Sequence, residues 1–269
     1  EPGALDLALT LAREQRADLV IANDPDADRC AVATRDGAGN WRTLRGDELG
    51  VLLANTLISK GIQGTYATTI VSSTMLKAIA ERQHVGYVET LTGFKWISRS
   101  ADDLVFGYEE ALGYAVAPNL VRDKDGISAA LLVAELAADL HQRGSSLLQQ
   151  LDELAAVYGR YVTDQVSIRV DDLAEIGAMM ARLRDAPPTE LLGEPVVVTD
   201  LLPGTDALRF TWTSPKQRGR VVIRPSGTEP KLKAYLEVVV PAGPESARTA
   251  ADQITLLHEQ ISLTLGIAP

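Results

Sequence analysis

Short apolar runs alternate with helix-like segments along the first 157 residues, and this alternation restricts the possible folds more than any other feature of the sequence. Asp18–Ala22 is an apolar run before Asn-Asp-Pro, which predicts a buried strand. Gly46-Asp-Glu-Leu predicts the start of a helix that runs to about Ser59, with Asp47 as its N-cap. The pattern predicts helices at 4–16, 46–59, 72–83, 127–143 and 145–157, and strands at 18–22, 30–34, 66–71, 87–90, 103–108 and 114–117. Such alternation is typical of parallel or mixed α/β layers.

The pattern changes after about residue 157. Three strand-like segments then follow one another closely between two helix-like segments, which indicates a smaller α+β domain. The predicted strands are 161–170, 195–200, 207–213, 220–224 and 232–240, and the predicted helices are 171–184 and 245–265. The fold class expected is therefore α/β, with mixed-sheet layers followed by a smaller α+β C-terminal domain.

Composition excludes several classes of protein. A length of 269 residues predicts two domains at about 150 residues each. A net charge of -10 argues against a nucleic-acid binder, which needs a basic surface, and no apolar run is long enough for a membrane helix. The single cysteine, Cys30, fits a reducing compartment and predicts a cytoplasmic protein. We interpret it as a small buried apolar residue, in preference to a reactive thiol.

The sharpest motif is Asn-Asp-Pro-Asp-Ala-Asp-Arg at residues 23–29, directly after the first predicted strand. Alternate side chains of an extended or gently curled loop point the same way, so the carboxylates of Asp24, Asp26 and Asp28 would repel one another without a cation. Carboxylate oxygens favour Mg²⁺ or Ca²⁺. An EF-hand is excluded, because Arg29 and Arg35 stand where that loop needs Gly and Glu. The alternative is an acidic turn with solvated side chains.

A second motif, Arg-Pro-Ser-Gly-Thr-Glu-Pro-Lys-Leu-Lys from Arg224 to Lys233, lies between two predicted strands. Its hydroxyls and unobstructed backbone N–H groups can form a concave nest for an anion. Arg224 adds a planar fork that matches phosphate. The alternative is an ordinary Ser-Gly hairpin turn with exposed lysines.

A third motif, Gly-Tyr-Glu-Glu-Ala-Leu-Gly at residues 107–113, places two adjacent carboxylates between glycines. Carboxylates accept hydrogen bonds from vicinal hydroxyls, so Glu109 and Glu110 are candidates for binding a sugar. A surface turn is the equally acceptable alternative. For the loops 92–95 and 122–126, a binding role and a surface turn are likewise both open.

Taken together and in this order, the loops resemble those of the α-D-phosphohexomutase superfamily, the phosphoglucomutases and phosphomannomutases. The likeness extends over essentially all 269 residues. It is greatest to the branch with G-[FY]-E-E-A-[IL]-G, which includes phosphopentomutase-like and glucose-1,6-bisphosphate-synthase-like members.

The resemblance implies a role for each loop. Residues 1–45 would be the C-terminal part of the metal-binding domain 2, residues 46–158 the sugar-binding domain 3, and residues 159–269 the phosphate-binding domain 4. The implied Mg²⁺ ligands are Asp24, Asp26 and Asp28, and Arg29 would lie near a phosphoserine. The implied substrate-binding residues are Thr92, Gly93, Glu109, Glu110, Lys124, Arg224, Ser226, Gly227, Thr228 and Lys233.

Three departures from the family pattern stand out. Ala111 replaces the Ser that many relatives carry after the acidic pair, and Tyr114 stands where some phosphomannomutases have His. No string like T-A-S-H-N-P, which carries the family's phosphorylated serine, occurs in the sequence; Ser72-Ser-Thr74 is the nearest. The expectation is that the chain is the C-terminal part of a larger enzyme and that the missing N-terminal portion is its partner.

The implied activity is that of an Mg²⁺-dependent phosphosugar mutase, an isomerase and phosphotransferase of carbohydrate metabolism that is itself a phosphoprotein. It would move a phosphoryl group between C1 and C6 (or C5) of a sugar phosphate, with a sugar 1,6-bisphosphate as activator and intermediate. The chain alone is expected to be inactive. The alternatives are a non-catalytic fragment that binds phosphosugar and Mg²⁺, and a sugar-bisphosphate synthase. Glucose, mannose and pentose phosphates remain open.

Overall fold

The computed structural model describes residues 3–227 and 229–267. The chain divides after Leu154 into two compact units, each of which is described by itself. The fold class is confirmed as α/β, with mixed-sheet layers followed by an α+β unit. The predicted domain boundaries, after residues 45 and 158, stay predictions.

Seven strands and five helices lie wholly within the described part of the first unit. They are α1 (Asp6–Glu14), β1 (Leu19–Asn23), β2 (Cys30–Arg35), β3 (Trp41–Thr43), α2 (Gly46–Ser59), β4 (Thr65–Thr69), α3 (Met75–Gln83), β5 (Gly86–Thr90), α4 (Phe94–Ile97), β6 (Leu104–Glu109), β7 (Gly113–Ala115) and α5 (Gly126–Gln142). The next helix, α6 (Leu147–Tyr158), begins in this unit and ends in the second.

The first sheet of this unit is an antiparallel meander in the order β1-β2-β3. Asn23 pairs with Cys30, so residues 24–29 form the connection between β1 and β2. Ala12 of α1 packs on this sheet with Val20 and Ala33. Cys30 is fully buried, and burial raises the pKa of its thiol to about 11, which supports the apolar interpretation of this residue.

The second sheet has the order β5-β4-β6-β7, with β5, β4 and β6 parallel and β7 antiparallel to β6. Because a parallel connection needs a crossover, α3 and α4 link its parallel strands. A Cβ at Gly50 would lie 2.5 Å from the ring of Tyr108, so glycine lets α2 approach the sheet closely. The carboxyl ends of β4, β5 and β6 meet at one edge, where open α/β sheets bind ligands.

The second unit is built on one antiparallel sheet in the order β11-β12-β13-β14-β8. Its elements are β8 (Arg160–Arg169), α7 (Leu173–Asp185), β9 (Glu190–Leu191), β10 (Glu194–Pro195), β11 (Val197–Asp200), β12 (Leu208–Thr213), β13 (Arg218–Pro225), β14 (Lys231–Val240) and α8 (Ser246–Thr264). Apolar side chains of α7 and α8, such as Met180 and Leu257, pack on one face of the sheet with Leu236 and Phe210. The first strand of the unit, β8, pairs with β14, the last.

Some elements differ from the prediction. The sequence analysis missed β3, α4 and the hairpin β9–β10, which are only two to four residues long. The prediction of Asp47 as the N-cap of α2 is wrong, because Arg45 is the N-cap and its N–H donates to Glu48 Oε2 at 2.9 Å.

No helix within the described residues combines the length and apolar character needed to span a membrane.

Candidate functional site

The acidic loop, residues 24–29, is a tight turn held by its own backbone. The N–H of Ala27 donates to the carbonyl of Asp24 at 2.9 Å, and the Nδ2 of Asn23 donates to the carbonyl of Arg29 at 2.7 Å. Ala27 has a φ of +56°, which is unusual for a residue with a side chain and turns the chain between Asp26 and Asp28. The loop is therefore curled, rather than extended with three parallel carboxylates.

The start of α5 lies directly against the acidic loop. The N–H of Gly126 donates to the carbonyl of Ala27 at 3.0 Å. A Cβ on Gly126 would lie 2.3 Å from the carbonyl oxygen of Arg29 and 2.5 Å from Asn23 Nδ2. Only glycine allows this approach, so helix α5 fixes the position of the loop.

Replacing this glycine tests that contact. We expect Gly126→Ala to destabilise the chain by about 1–3 kcal/mol, because a Cβ overlaps backbone atoms that cannot move independently. The matched control is Gly177→Ala in α7, where a Cβ meets nothing within 4 Å; there we expect a gain of about 0.5–1 kcal/mol from helix propensity. Urea unfolding measures both variants, and equal stability of the two would contradict the packing described.

Two of the three aspartates in the loop share one arginine. Arg29 Nε lies 3.5 Å from Asp24 Oδ2 and 3.9 Å from Asp28 Oδ1, and the Arg29 backbone N–H donates to Asp24 Oδ1 at 3.2 Å. Asp26 is exposed and makes no hydrogen bond or ion pair with any described residue. In the part of the chain that the structure describes, no three acidic, His or Cys side chains are grouped closely enough to hold a metal ion.

Lys124 is the second cation at this loop. Its Nζ donates to Asp28 Oδ2, and this hydrogen bond is the main cause of the lowered pKa of Asp28. Asp28 Oδ1 is buried and has no hydrogen-bond partner in the described part of the chain. The unpartnered oxygen of Asp28 and the exposed carboxylate of Asp26 are donors of the type that a hard cation such as Mg²⁺ prefers, so the chemistry of these residues suits the ion that the resemblance implies, although in this structure the carboxylates are not grouped around one point. The metal assignment stays a prediction.

The glutamate pair lies at the carboxyl end of β6 and its two members have different partners. Glu109 is half-buried, and burial raises the pKa of its carboxyl group, opposed by the nearby charges of Lys124 and Arg29. Glu110 Oε2 accepts from Ser72 Oγ at 3.3 Å and from Thr69 Oγ1 at 3.4 Å, while Ser72 Oγ accepts from the Glu110 N–H at 3.2 Å. The prediction that both glutamates bind sugar stays untested, and Glu109 is the one next to Lys124.

Sequence analysis noted Ser72 and Ser73 only as the nearest match to the serine string that the resemblance implies. In the structure both are buried, at 1% and 3% exposure, and the Ser73 N–H donates to Asp47 Oδ1 at 2.6 Å. Asp47 also accepts from the hydroxyl of Tyr108 at 3.2 Å. These residues lie beneath the glutamate pair and support it. No local pattern reveals them, because their partners are distant in sequence.

A basic cleft of about 770 Å³ lies entirely within the first unit, and Lys124, the neighbour of Glu109, is part of its lining. Gly93, at its rim, has a φ of +111°, a conformation that favours glycine and that begins α4. The Arg122 guanidinium donates to the carbonyls of Ser98 and Ala101, just after α4, at 2.8 and 2.7 Å. The charged lining residues are Lys95, Arg99, Asp102, Arg122, Asp123 and Lys124. Cations outnumber carboxylates in this lining, so the cleft suits an anionic ligand.

Thr92 and Gly93 follow the carboxyl end of β5, and their role in contacting substrate stays a prediction. Gly93 lines the basic cleft and Thr92, half-buried, precedes it. Sequence analysis did not single out Arg99. Its side chain has no partner among the described residues and lines the same cleft, so it is a further candidate for binding an anion.

In the second unit, the predicted phosphate loop connects β13 to β14. Arg224 pairs directly with Lys233 across the two strands, which places two like charges side by side, an arrangement that costs stability unless an anion lies between them. Arg224 Nε is buried and has no hydrogen-bond partner among the described residues. The Ser226 N–H donates to the carbonyl of Lys231 at 2.8 Å, which closes the turn.

The other residues of this loop are less available for an anion, or are not among the residues that the structure describes. Lys231 Nζ donates to Glu229 Oε1 at 2.7 Å, and this bond lowers the pKa of Glu229. Gly227 is exposed at the tip of the turn, and Thr228 lies outside the described residues. Arg224 and Lys233 are therefore the cations of the loop that remain available for an anion.

The sequence matches family models along most of its length. Residues 45–158 match the model described as phosphoglucomutase/phosphomannomutase, alpha/beta/alpha domain III, residues 1–37 match domain II of the same family, and residues 166–252 match its C-terminal domain.

Individual proteins match as well. The chain is 47% identical over 245 residues to a probable phosphomannomutase of Haemophilus influenzae, covering 88% of this chain and 49% of that protein. It is 35% identical over 295 residues to a phosphopentomutase of Mus musculus, covering 94% of this chain and 47% of the relative. The crystal structure of the phosphoglucomutase pp63/parafusin from Paramecium is similar in fold, with a TM-score of 0.68 at 22% identity over 92% of this chain and 45% of that one. The chain spans about half the length of the curated relatives it matches.

Proposed function

The chain belongs to the phosphoglucomutase/phosphomannomutase family, and from that premise we propose that it forms the metal-binding and sugar-phosphate-binding part of a phosphosugar mutase. The observation that carries the proposal is the meeting of Asp28, Lys124 and Glu109 at one place in the first unit. A carboxylate for a cation, an ammonium for a phosphate and a carboxylate for sugar hydroxyls are the groups that binding of a sugar phosphate requires.

Each loop has a task in the proposed reaction, which transfers a phosphoryl group between C1 and C6 (or C5) through a sugar bisphosphate. Asp24, Asp26 and Asp28 would hold Mg²⁺, and Arg29 adds positive charge beside them. When bound, the ion neutralises negative charge on the transferring phosphoryl group. Glu109 would accept hydrogen bonds from the sugar hydroxyls.

The second unit would bind the phosphate that does not react in a given half-reaction. Arg224 Nε has no hydrogen-bond partner among the residues that the structure describes and Arg224 lies beside Lys233, so an oxyanion would satisfy both cations. The hydroxyl and backbone N–H groups of Ser226, Gly227 and Thr228 would complete the contact. Because either phosphate of the bisphosphate can be held there, the same loop serves both half-reactions.

The relatives are named after mannose, pentose and glucose phosphates, so the proposal leaves the sugar open. Ala111 cannot supply the hydroxyl that many family members offer to the sugar, which removes one contact that would distinguish substrates. The buried Cys30 agrees with the reducing cytoplasm that the proposal assumes.

Calorimetric titration of the chain with glucose 1,6-bisphosphate, mannose 1,6-bisphosphate and ribose 1,5-bisphosphate tests the proposal. We expect saturable binding of at least one, strengthened by Mg²⁺, with the tightest indicating the preferred sugar. Binding of free sulfate as tight as that of every bisphosphate would show a general anion site and contradict the proposal.

The Mg²⁺ assignment has its own test in Asp26→Asn. Asp26 is exposed and pairs with none of residues 3–227 and 229–267, so the substitution removes a proposed ligand without breaking a described contact. We expect Mg²⁺ affinity to fall by roughly tenfold or more, since even residues behind the ligands of a metal site affect affinity to that extent. Asp139→Asn, at an exposed position of α5, has the same change in charge and should bind as the wild type does. Equal affinities in all three proteins would mean that Asp26 is not a ligand.

A further inference from the structure

Lys124 connects the acidic loop to the basic cleft. Its Nζ donates to Asp28 Oδ2, while the same side chain lines the cleft. Gly113 makes room for it, because a Cβ at that position would lie 2.8 Å from Lys124 Cδ. The lysine stem thus passes against the backbone of β7 and can reach either feature.

We propose that Lys124 is an internal counter-ion that competes with a divalent cation for Asp28, so that cation binding releases its ammonium into the basic cleft, where it meets the anionic ligand. The competition concerns only residues of this chain and the ion; the second step, in the cleft, rests on the proposed function.

The competition follows from the geometry at Asp28. One oxygen of this carboxylate accepts from the ammonium of Lys124, and the other is buried, lies 3.9 Å from Arg29 Nε and has no hydrogen-bond partner among the described residues. A dication bound by Asp28 would lie within about 4 Å of the ammonium, where like charges repel strongly. The two cations therefore exclude each other from the same carboxylate.

The released ammonium has a place to go. Lysine has a flexible four-carbon stem, and this side chain is already 20% exposed on the cleft side. Glu109 lies close to this group, and the cleft that it would enter is also lined by two carboxylates and three cations: Asp102, Asp123, Lys95, Arg99 and Arg122. A phosphate in the cleft would replace Asp28 as the partner of Lys124. Each ligand then raises the affinity of the chain for the other. By thermodynamic linkage, the cation and the sugar phosphate raise each other's affinity by the same factor.

The first arm of the test measures Mg²⁺ binding alone by calorimetry on the 269-residue chain, as wild type, Lys124→Met and Lys77→Met. Removing the competing charge should tighten Mg²⁺ binding by about tenfold or more, since a charge this close alters the ionisation of a carboxylate by a factor of that order. Lys77, on α3, pairs with Glu81 instead, so its variant makes the same change in net charge and should match the wild type. Lys124→Gln, which keeps a polar side chain, should behave as Lys124→Met does, and both must unfold cooperatively.

The second arm measures the affinity for glucose 1,6-bisphosphate with and without Mg²⁺. Wild type and Lys77→Met should bind it more tightly with Mg²⁺, and Lys124→Met should lose most of that enhancement. The counter-ion role is overturned if Lys124→Met binds Mg²⁺ with the affinity of the wild type. It is also overturned if neither the wild type nor any variant binds Mg²⁺. Tighter Mg²⁺ binding with undiminished coupling overturns the release into the cleft. Failure of every variant to bind bisphosphate would refute the proposed function and leave the result of the first arm standing.

Discussion

The purified 269-residue chain is expected to show no detectable conversion of glucose 1-phosphate to glucose 6-phosphate, even with Mg²⁺ and a bisphosphate activator. The resemblance assigns the phosphoryl donor to a serine in a T-A-S-H-N-P-like loop, and no such string occurs in this sequence. A cation site and a phosphate loop can bind a substrate but cannot exchange its phosphate without a donor. Loss of an essential nucleophile has cost about 10⁶ in rate where it was measured in another enzyme class.

The structure makes a substitute nucleophile unfavourable. Ser72 and Ser73, the closest sequence match to a serine loop, are buried and hydrogen-bonded beneath the glutamate pair. A coupled assay on rigorously purified chain, with a full-length homologue as the positive control, measures the activity. Turnover within a hundredfold of the homologue would contradict the expectation, and its loss in Ser72→Ala or Ser73→Ala would identify the residue responsible. Adding a separately expressed N-terminal portion of a homologue tests whether the donor alone is missing.

The second large effect is expected at Arg224. Arg224→Ala should weaken binding of glucose 1,6-bisphosphate by roughly ten- to more than a hundredfold, since a hydrogen bond to a charged group contributes about 1.5–3 kcal/mol. The fold should persist, because the substitution removes one of two like charges that face each other across β13 and β14. Arg224→Lys keeps the charge without the planar fork and should show an intermediate loss.

The matched control for this measurement is Arg248→Ala on α8. The Arg248 side chain is 81% exposed and lies 3.9 Å from Asp252 on the same helix, so its loss changes the net charge equally without touching the loop. Calorimetry gives the dissociation constants, and thermal unfolding confirms the fold. A dissociation constant for Arg224→Ala that matches the control would remove Arg224 from the phosphate loop.

The sequence predicted those parts of the fold that depend on local patterns. Helix α2 has the predicted limits, 46 and 59, because a long apolar run and an acidic first turn are visible in one segment. Helix α4 has only four residues, too few for a helical period to show, and β3 has only three. Asp47 was misinterpreted for a different reason: its partners, Ser73 and Tyr108, are distant in sequence, and a helix start looks the same whether or not it is buried.

In the candidate site, too, only the features made of contiguous residues could be predicted. The order of the motifs located the acidic loop, the glutamate pair and the Arg224 loop, since each is a contiguous string. The sequence could not show that Lys124 bonds to Asp28, that Gly126 supports the acidic loop, or that Ser72 holds Glu110. These contacts join residues whose proximity is created only by the crossover connections of the fold.

The pairing of β8 with β14 affects the order in which the chain can acquire structure during synthesis. Arg160 pairs with Val240, so β8 leaves the ribosome long before the strand that completes its hydrogen bonds exists. Until then the sheet of the second unit lacks β14, which pairs with both β13 and β8, and pairing across such a sequence separation makes folding slow. The first unit, whose strands find their partners nearer in sequence, can fold while the second is still emerging, and the nascent chain exposes unpaired strand edges mainly in its C-terminal half.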